Sequence, residues 1–199
     1  MLEVFLCRHG ETEWNSRGSI QGHGNSDLTD LGHRQARAVA QMLSGNEYHA
    51  LFCSSLGRAM QTAEYISKGI GLPIVPRREL WECGWGRWEG LNYRDLKANH
   101  PDLIKQREEN MFDFRPPGGE SYHDVQIRVQ PLLDDIRERY QGQRVVIVAH
   151  TMINRLMAGI LLDLPFEKAI KMRQEHHQVH HVFLDGDNSS YKLLETDIG

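Results

Sequence analysis

With 199 residues, 40% hydrophobic and 25% charged, the chain is long enough for one domain with a substantial core and short for two. A formal net charge of -4 excludes a global basic field for nucleic acid or anionic membranes, so an anion site must be assembled locally from a few Arg and His. The three cysteines, Cys7, Cys53 and Cys83, lack metal-type spacing and read as small buried hydrophobes of a reducing compartment. No apolar run is long enough to span a bilayer and the N-terminus lacks a signal-peptide pattern, so a cytoplasmic location is expected.

The first strand runs from Leu2 to Cys7 and stops at Arg8-His9-Gly10. A buried strand ending in a glycine turn delivers its last side chains to the carboxyl edge of a sheet, where open α/β folds bind ligands. Arg is a planar, permanently charged anion clamp and neutral His a nucleophile or proton carrier; Gly10 permits a sharp turn or close approach to a ligand. Ser16 to Asp27 reads as an ordered loop. Thr29 is expected to cap a helix running to about Ser44, with Leu31, Ala38, Val39, Met42 and Leu43 on its inner face. Ala50–Cys53 is the second strand. Ser54-Ser55 then opens a helix to Lys68, which puts Arg58 in its first turn, where backbone N–H groups favour an anion.

Leu72–Val75 is a short strand. Leu80 to Gly90 packs three Trp and three Gly into one irregular segment; beside an indole wall, the Glu82 carboxyl would be raised in pKa and serve as a general acid. Leu91 to Phe114 carries one or two short helices broken near His100-Pro101. Ser121 with Asp124 forms a weak capping box for a helix whose Val125, Val129, Leu132, Leu133 and Ile136 face the core. Val145–Ala149 is a central strand, ending at His150-Thr151 before a helix from about Met152 to Leu162. Pro165–Met172 is a short helix, and Val179–Leu184 pairs with Tyr191–Leu194 across Asp185-Gly186-Asp187-Asn188.

Strand–helix alternation implies a mostly parallel sheet. Its strand ends would bring Arg8, His9, Arg58 and His150 to one point, a pocket suited to a phosphate. The fold expected is a three-layer α/β/α sandwich with a mostly parallel central sheet, one domain over residues 1–199 with a small cap insertion at about 92–117.

Arg8-His9-Gly10-Glu11-Thr12 with Trp14-Asn15 resembles the signature of the histidine phosphatase superfamily, which includes the cofactor-dependent phosphoglycerate mutases. The likeness continues in family order through Leu28-Thr29-Asp30-Leu31-Gly32, Ser54-Ser55-Leu56-Gly57-Arg58-Ala59, Leu80-Trp81-Glu82, Trp88-Glu89-Gly90-Leu91, Gly118-Gly119-Glu120-Ser121 and Val148-Ala149-His150. The resemblance implies that His9 attacks phosphorus and becomes a phosphohistidine. Arg8, Arg58 and His150 would hold the equatorial oxygens, and Glu82 would protonate the leaving oxygen and then help activate water. Asn15, Gln21, Gly22 and His23 would contact phosphate or substrate, as would the N–H of Thr151. With two Arg and a protonated His150 supplying charge, no metal and no cofactor are expected. Thr151 stands where such families usually place Gly, and Asp27 where an apolar residue or Pro is usual.

The mutases carry a longer insertion after the general-acid segment. The modest cap here favours hydrolysis of a small-molecule phosphate monoester, in the style of broad-specificity and α-ribazole phosphatases; a phosphoglycerate mutase and a non-catalytic phosphate-binding protein are the alternatives. Met111, Phe112, Phe114, Arg115, Trp85, Trp88 and Tyr93 either face the leaving group or pack the cap. His176, His177, His180 and His181 form a solvated or edge-strand cluster rather than a metal site, because strand side chains alternate faces. No nucleic acid or membrane partner is expected, and a homodimer is left open.

Overall fold

The computed structural model describes residues 1–186 and 188–198. Its six-stranded sheet has the order β3-β2-β4-β1-β5-β6. The strands are β1 (Leu2–Arg8), β2 (Ala50–Ser54), β3 (Ile74–Arg77), β4 (Arg144–Ala149), β5 (Gln178–Asp185) and β6 (Asn188–Glu195). The first four are parallel, and β5 and β6 continue the sheet antiparallel to their neighbours. The unbroken apolar run of β4 fits its place at the centre, buried on both faces. The register pairs Arg8 with Ala149, so His9 and His150 leave adjacent strands side by side, and the His9 N–H donates to the Ala149 carbonyl at 3.1 Å.

Helices cover both faces, giving the three layers expected. On one side α6 (Tyr122–Arg139) and α7 (Thr151–Leu161) bury Val125, Val129, Leu133, Ile136, Ile153 and Met157 against Leu6, Phe52 and Ile147. On the other α2 (Asp30–Leu43) and α3 (Gly57–Ile70) pack Val39, Leu43, Ala59, Ala63 and Ile66 against Cys7, Leu51 and Val148. Thr29 and Ser121 cap α2 and α6 as the sequence predicts, and Ser121 forms a full capping box with Asp124.

Three local readings change. The inner face of α2 is rotated: Gly32, Gln35, Ala36, Val39, Ala40 and Leu43 are buried, while Leu31, Ala38 and Met42 are only partly so. The cause is backbone contact. A Cβ on Gly10 would collide with the Gly32 carbonyl, so Gly10 serves the approach of α2 to the strand end rather than the approach of a ligand. Next, α3 starts at Gly57, not at Ser54-Ser55. Ser54 still belongs to β2, and the cap comes from outside the helix, where Asn25 Oδ1 accepts the Arg58 N–H at 2.9 Å. Finally, the loop read from Ser16 onward begins only at Gly18, because a short helix, α1 (Glu13–Arg17), started by a Thr12/Asn15 capping box, takes Ser16 and Arg17.

The cap contains α4 (Tyr93–Asn99) and α5 (Pro101–Glu109), separated at His100 and with Pro101 at the first position of the second. Its aromatics divide between the two readings. Trp88 and Phe114 pack with Ile20, Leu96 and Ile104, Met111 and Phe112 pack on the main core, and Arg115 is exposed against Asp124. A short helix, α8 (Phe166–Ala169), precedes the β5–β6 hairpin, whose turn residue Asp187 lies outside the described residues. The histidines of this region correct the expectation of a solvated or edge-strand cluster. β5 is an inner strand because β6 covers it; His180 is fully buried, and the His181 Nε2–H donates to Glu3 Oε2 at 2.8 Å in the sheet.

Candidate active site

The carboxyl ends of β1, β2 and β4 open into a cleft of about 390 Å³. Its walls are Arg8, His9, Asn15, Ile20, Gln21, Gly22, Arg58, Glu82, Thr151 and Met152 from the sheet side, closed by Trp85, Tyr93 and Arg107. A larger cavity of about 460 Å³ lies at the opposite end of β1, around Met1, Leu2 and Arg137, and contains no comparable set of His, Arg and Glu.

His9 is held in one tautomer and one pose. Its Nδ1–H donates to the Gly10 carbonyl at 2.8 Å, which leaves the Nε2 lone pair unengaged. The following peptide is gripped on both sides: the His9 carbonyl accepts from His176 Nδ1 at 2.7 Å, and the Gly10 N–H donates to Thr62 Oγ1 at 3.0 Å. Burial, then the charges of Arg58 and neighbouring cationic groups, holds His9 well below the ordinary histidine value, so the ring is neutral at pH 7. Burial also lowers His176 to about 3, which keeps it a neutral donor.

Arg58 is 1% exposed. Its two terminal nitrogens donate to the Gly24 and Gly22 carbonyls at 2.6 and 2.8 Å, so one side chain fixes both the loop and the guanidinium. Arg8 is tied through Nη1 to the Gln174 carbonyl at 2.9 Å. Burial lowers both guanidinium groups to about 10, leaving them charged at pH 7. In each, Nε is buried without a partner. His150 supplies a third such atom. It is fully buried, 5.1 Å between ring centroids from His9, with Nε2 at 2.7 Å from Ser54 Oγ and Nδ1 unpartnered. Among the described residues His150 Nε2 is the acceptor that meets the Ser54 O–H, and donation to it puts the ring proton on Nδ1. Burial and the nearby Arg58 and Arg8 lower His150 well below its ordinary value, which corrects the protonated His150 expected from the sequence. An orphaned buried donor costs about 1–3 kcal/mol. Three of them at one strand edge suit an anion with several oxygens.

Glu82 faces this group from the irregular segment between β3 and the cap. Its carboxylate accepts from Cys83 N–H at 2.9 Å and from Met152 and Ile153 N–H at 3.2 Å each, at the N-terminus of α7. Backbone donors and a helix dipole therefore surround it, in place of the indole wall expected. Asn15 Oδ1 is taken by the Thr12 capping box, leaving its Nδ2 for the cleft.

The predicted residues Arg8, His9, Asn15, Gln21, Gly22, Arg58, Glu82 and Thr151 thus meet on one wall. His23 does not: its ring turns away to the Glu82 carbonyl at 3.0 Å and to Glu120 at 3.2 Å, bracing the acid from behind. Burial opposes ionisation of Glu120, but hydrogen bonds from His23 and Arg128 outweigh it and hold Glu120 at about 2. Sequence reasoning misses His176, Glu89 and Arg107. Glu89 accepts from His23, Gly24 and Trp85 N–H groups at 2.9–3.0 Å and staples the loop that Arg58 also holds. None of the three has a local signal, since each acts on segments distant in the chain. Among the described residues no group of three or more His, Cys, Asp or Glu is placed to hold a metal ion.

This geometry accords with comparisons to known proteins. Residues 4–197 match the histidine phosphatase superfamily (branch 1), and the chain belongs to that family. It is 34% identical over 173 residues to the "Probable phosphoglycerate mutase GpmB" of Photorhabdus laumondii, covering 87% of this chain and 80% of that one. It is 32% identical over 168 residues to "Phosphoserine phosphatase 1" of Hydrogenobacter thermophilus, covering 84% and 80%. The crystal structure of the α-ribazole phosphatase from Shigella flexneri superposes with a TM-score of 0.88 at 27% identity, covering 98% of this chain and 96% of that one.

Proposed function

We propose that the protein hydrolyses small phosphate monoesters through a phosphohistidine on His9, without a metal. The observation that supports this most is the convergence of a neutral His9, its Nε2 lone pair free, with three unpartnered buried donors on Arg8, Arg58 and His150. His9 Nε2 attacks phosphorus in line with the ester oxygen. The P–O bond to the leaving group breaks as the P–N bond forms, and the leaving oxygen takes a proton from Glu82. A water then attacks the phosphohistidine, giving its proton to Glu82, and inorganic phosphate and free His9 are released. The charge on the equatorial oxygens is met by Arg8, Arg58, the Nδ1–H of His150 and the Nδ2–H of Asn15. Such preorganised donors are worth on the order of 100-fold or more in rate each.

His150 enters this scheme as a neutral donor. A bound dianion offsets the two arginines that depress it and raises its proton affinity. The test is release of phosphate from an aryl phosphate with and without chelator, beside acid quench and mass analysis for an acid-labile phosphate on His9. Turnover that survives chelation and disappears with the trapped species in His9→Ala supports the reading. Interconversion of 2- and 3-phosphoglycerate after priming with a bisphosphoglycerate, without net hydrolysis, replaces it with the mutase reading favoured by one relative's name. Tight phosphate binding with neither activity leaves a binding protein.

A further inference from the structure

Residues 81–85, which include Glu82, belong to no helix or strand, so no ladder fixes their backbone. One side chain of α6 gathers the carbonyls of this stretch instead. Arg128 Nη1 donates to the Glu79 and Trp81 carbonyls at 2.8 and 3.1 Å, and its Nη2 lies 3.5 Å from the Glu82 carbonyl. The same guanidinium grips Glu120 as a fork, Nε to Oε1 at 3.1 Å and Nη2 to Oε2 at 2.9 Å. Glu120 is also tied directly to the stretch. Its Oε2 accepts the Gly84 N–H at 2.9 Å, and its own N–H donates to the Gly84 carbonyl at 2.8 Å. His23 Nε2 completes the group, 3.0 Å from the Glu82 carbonyl and 3.2 Å from Glu120 Oε2. Both partners are acceptors, so Nε2 carries the proton and shares it between them. Gly84 makes room for this ring, since a Cβ there would stand 2.9 Å from His23 Cε1.

From this arrangement we propose that Arg128, with Glu120 and His23, is a positioning residue that holds the Glu82 carboxylate at the leaving oxygen of the substrate. The proposal rests on the reading of Glu82 as the acid of a phosphate-monoester hydrolase. The N–H groups of Cys83, Met152 and Ile153 orient the carboxylate, whereas Arg128 anchors the backbone that carries it. Arg128 and Glu120 are absent from the cleft wall, so they reach the reaction only through the stretch they hold. In transfer to His9 the P–O bond to the leaving group breaks as the P–N bond forms, and the departing oxygen takes a proton from Glu82. The need for that proton rises with the basicity of the oxygen: a nitrophenolate departs without it, an alkoxide does not. A carboxyl misplaced by about 1 Å therefore slows esters of basic alcohols by on the order of 100-fold and largely spares those of acidic phenols. Damage to the phosphate end slows all esters alike, because Arg8, Arg58 and His150 meet oxygens that every ester shares.

The experiment measures kcat/KM, which covers the steps through loss of the alcohol, for 4-nitrophenyl, phenyl and benzyl phosphate, in order of rising leaving-group basicity. Arg128→Gln is expected to lower the benzyl ester by about 100-fold and the nitrophenyl ester by about threefold. Glu82→Gln is expected to show the same pattern with a larger loss. In the double variant the benzyl ester loses no more than in Glu82→Gln alone, because the brace acts through the acid. Arg128→Lys keeps its charge beside Glu120 and can hold one carbonyl. It is expected to fall between wild type and Arg128→Gln, and it covers the case in which Arg128→Gln does not fold. Because each ratio is taken within one protein, loss of folded enzyme cancels. A loss equal for the three esters, or losses that multiply in the double variant, assigns Arg128 to the fold alone and overturns the proposal while the hydrolase reading stands. Release of phosphate from none of the three esters by the wild-type protein overturns the hydrolase reading, and the positioning role with it.

Discussion

Replacing Arg58 by Lys keeps the positive charge and removes the fork. In the native structure two different terminal nitrogens hold the Gly24 and Gly22 carbonyls at 2.6 and 2.8 Å, and Nε is left for the cleft. A single ammonium can hold one of those carbonyls or face the cleft, not all three. A charge-assisted hydrogen bond contributes about 1.5–3 kcal/mol, so the loss of one gives a destabilisation of about 2 kcal/mol. At about 2–4 °C per kcal/mol for a chain of this size, Tm falls by about 4–8 °C. The ammonium drawn to the loop carbonyls also leaves the phosphate one donor short, which lowers kcat/KM by about 100-fold. Differential scanning calorimetry and aryl phosphate turnover measure the two effects on one preparation. A Tm within 2 °C of wild type and a rate within threefold would refute the argument that one side chain fixes both the loop and the anion site.

Removal of the His176 ring in His176→Ala leaves the His9 carbonyl without its 2.7 Å donor, and kcat falls by about tenfold with KM little changed. Because His176 is neutral above about pH 3, the pH profile should keep its shape, and a shifted acid limb would contradict a purely positional role. His9 is held neutral well below the usual histidine range, so kcat/KM in the free enzyme should stay level as pH falls through 6.5; a loss centred at 6.5 would show an unperturbed nucleophile. Stability responds the other way. Burial holds His180 at about 4, while in the unfolded chain it titrates near 6.5, so below 6.5 the unfolded state binds more protons and stability drops with pH. The His180 share is about 2 kcal/mol between pH 6.5 and 5, and urea titrations should show it missing in His180→Leu. Gly10→Ala places a methyl on the Gly32 carbonyl and should cost about 1–3 kcal/mol, and a neutral result would show that α2 can withdraw freely.

Much of this protein is legible in its sequence because the relevant signals are local. The unbroken apolar run of β4 announces a central strand, Ser121 and Asp124 announce the start of α6, and polar residues at the ends of β1 and β4 mark the sheet edge that carries the site. Arg8, His9, Asn15, Gln21, Gly22, Arg58, Glu82 and Thr151 of the cleft wall are therefore identifiable before any contact is known, and Arg107 is not. The family blocks, in order along the chain, gave them roles. What sequence could not specify depends on groups brought together from far apart. The orientation of α2 follows from two glycine backbones meeting, not from its apolar period. His23 shares a loop with Gln21 and Gly22, yet its ring braces Glu82 and Glu120 behind the wall. His180 and His181 lie inside the sheet because β5 pairs with β1 on one side and β6 on the other; the hairpin is legible in the sequence, and its docking against β1 is not.

The charge state of the site is the clearest case. A histidine beside a phosphate pocket reads from sequence as a cation, but burial and two arginines lower His150 well below the ordinary histidine value. Arg107 carries no local signal, and only the cap's fold brings its guanidinium over the Trp85 ring at the cleft. Residue type and spacing determined which chemical groups the chain could bring to the strand edge. Desolvation and the long-range pairing of donors with acceptors exist only in the folded state, and they decided which of those groups are charged, which are neutral and which still lack a partner.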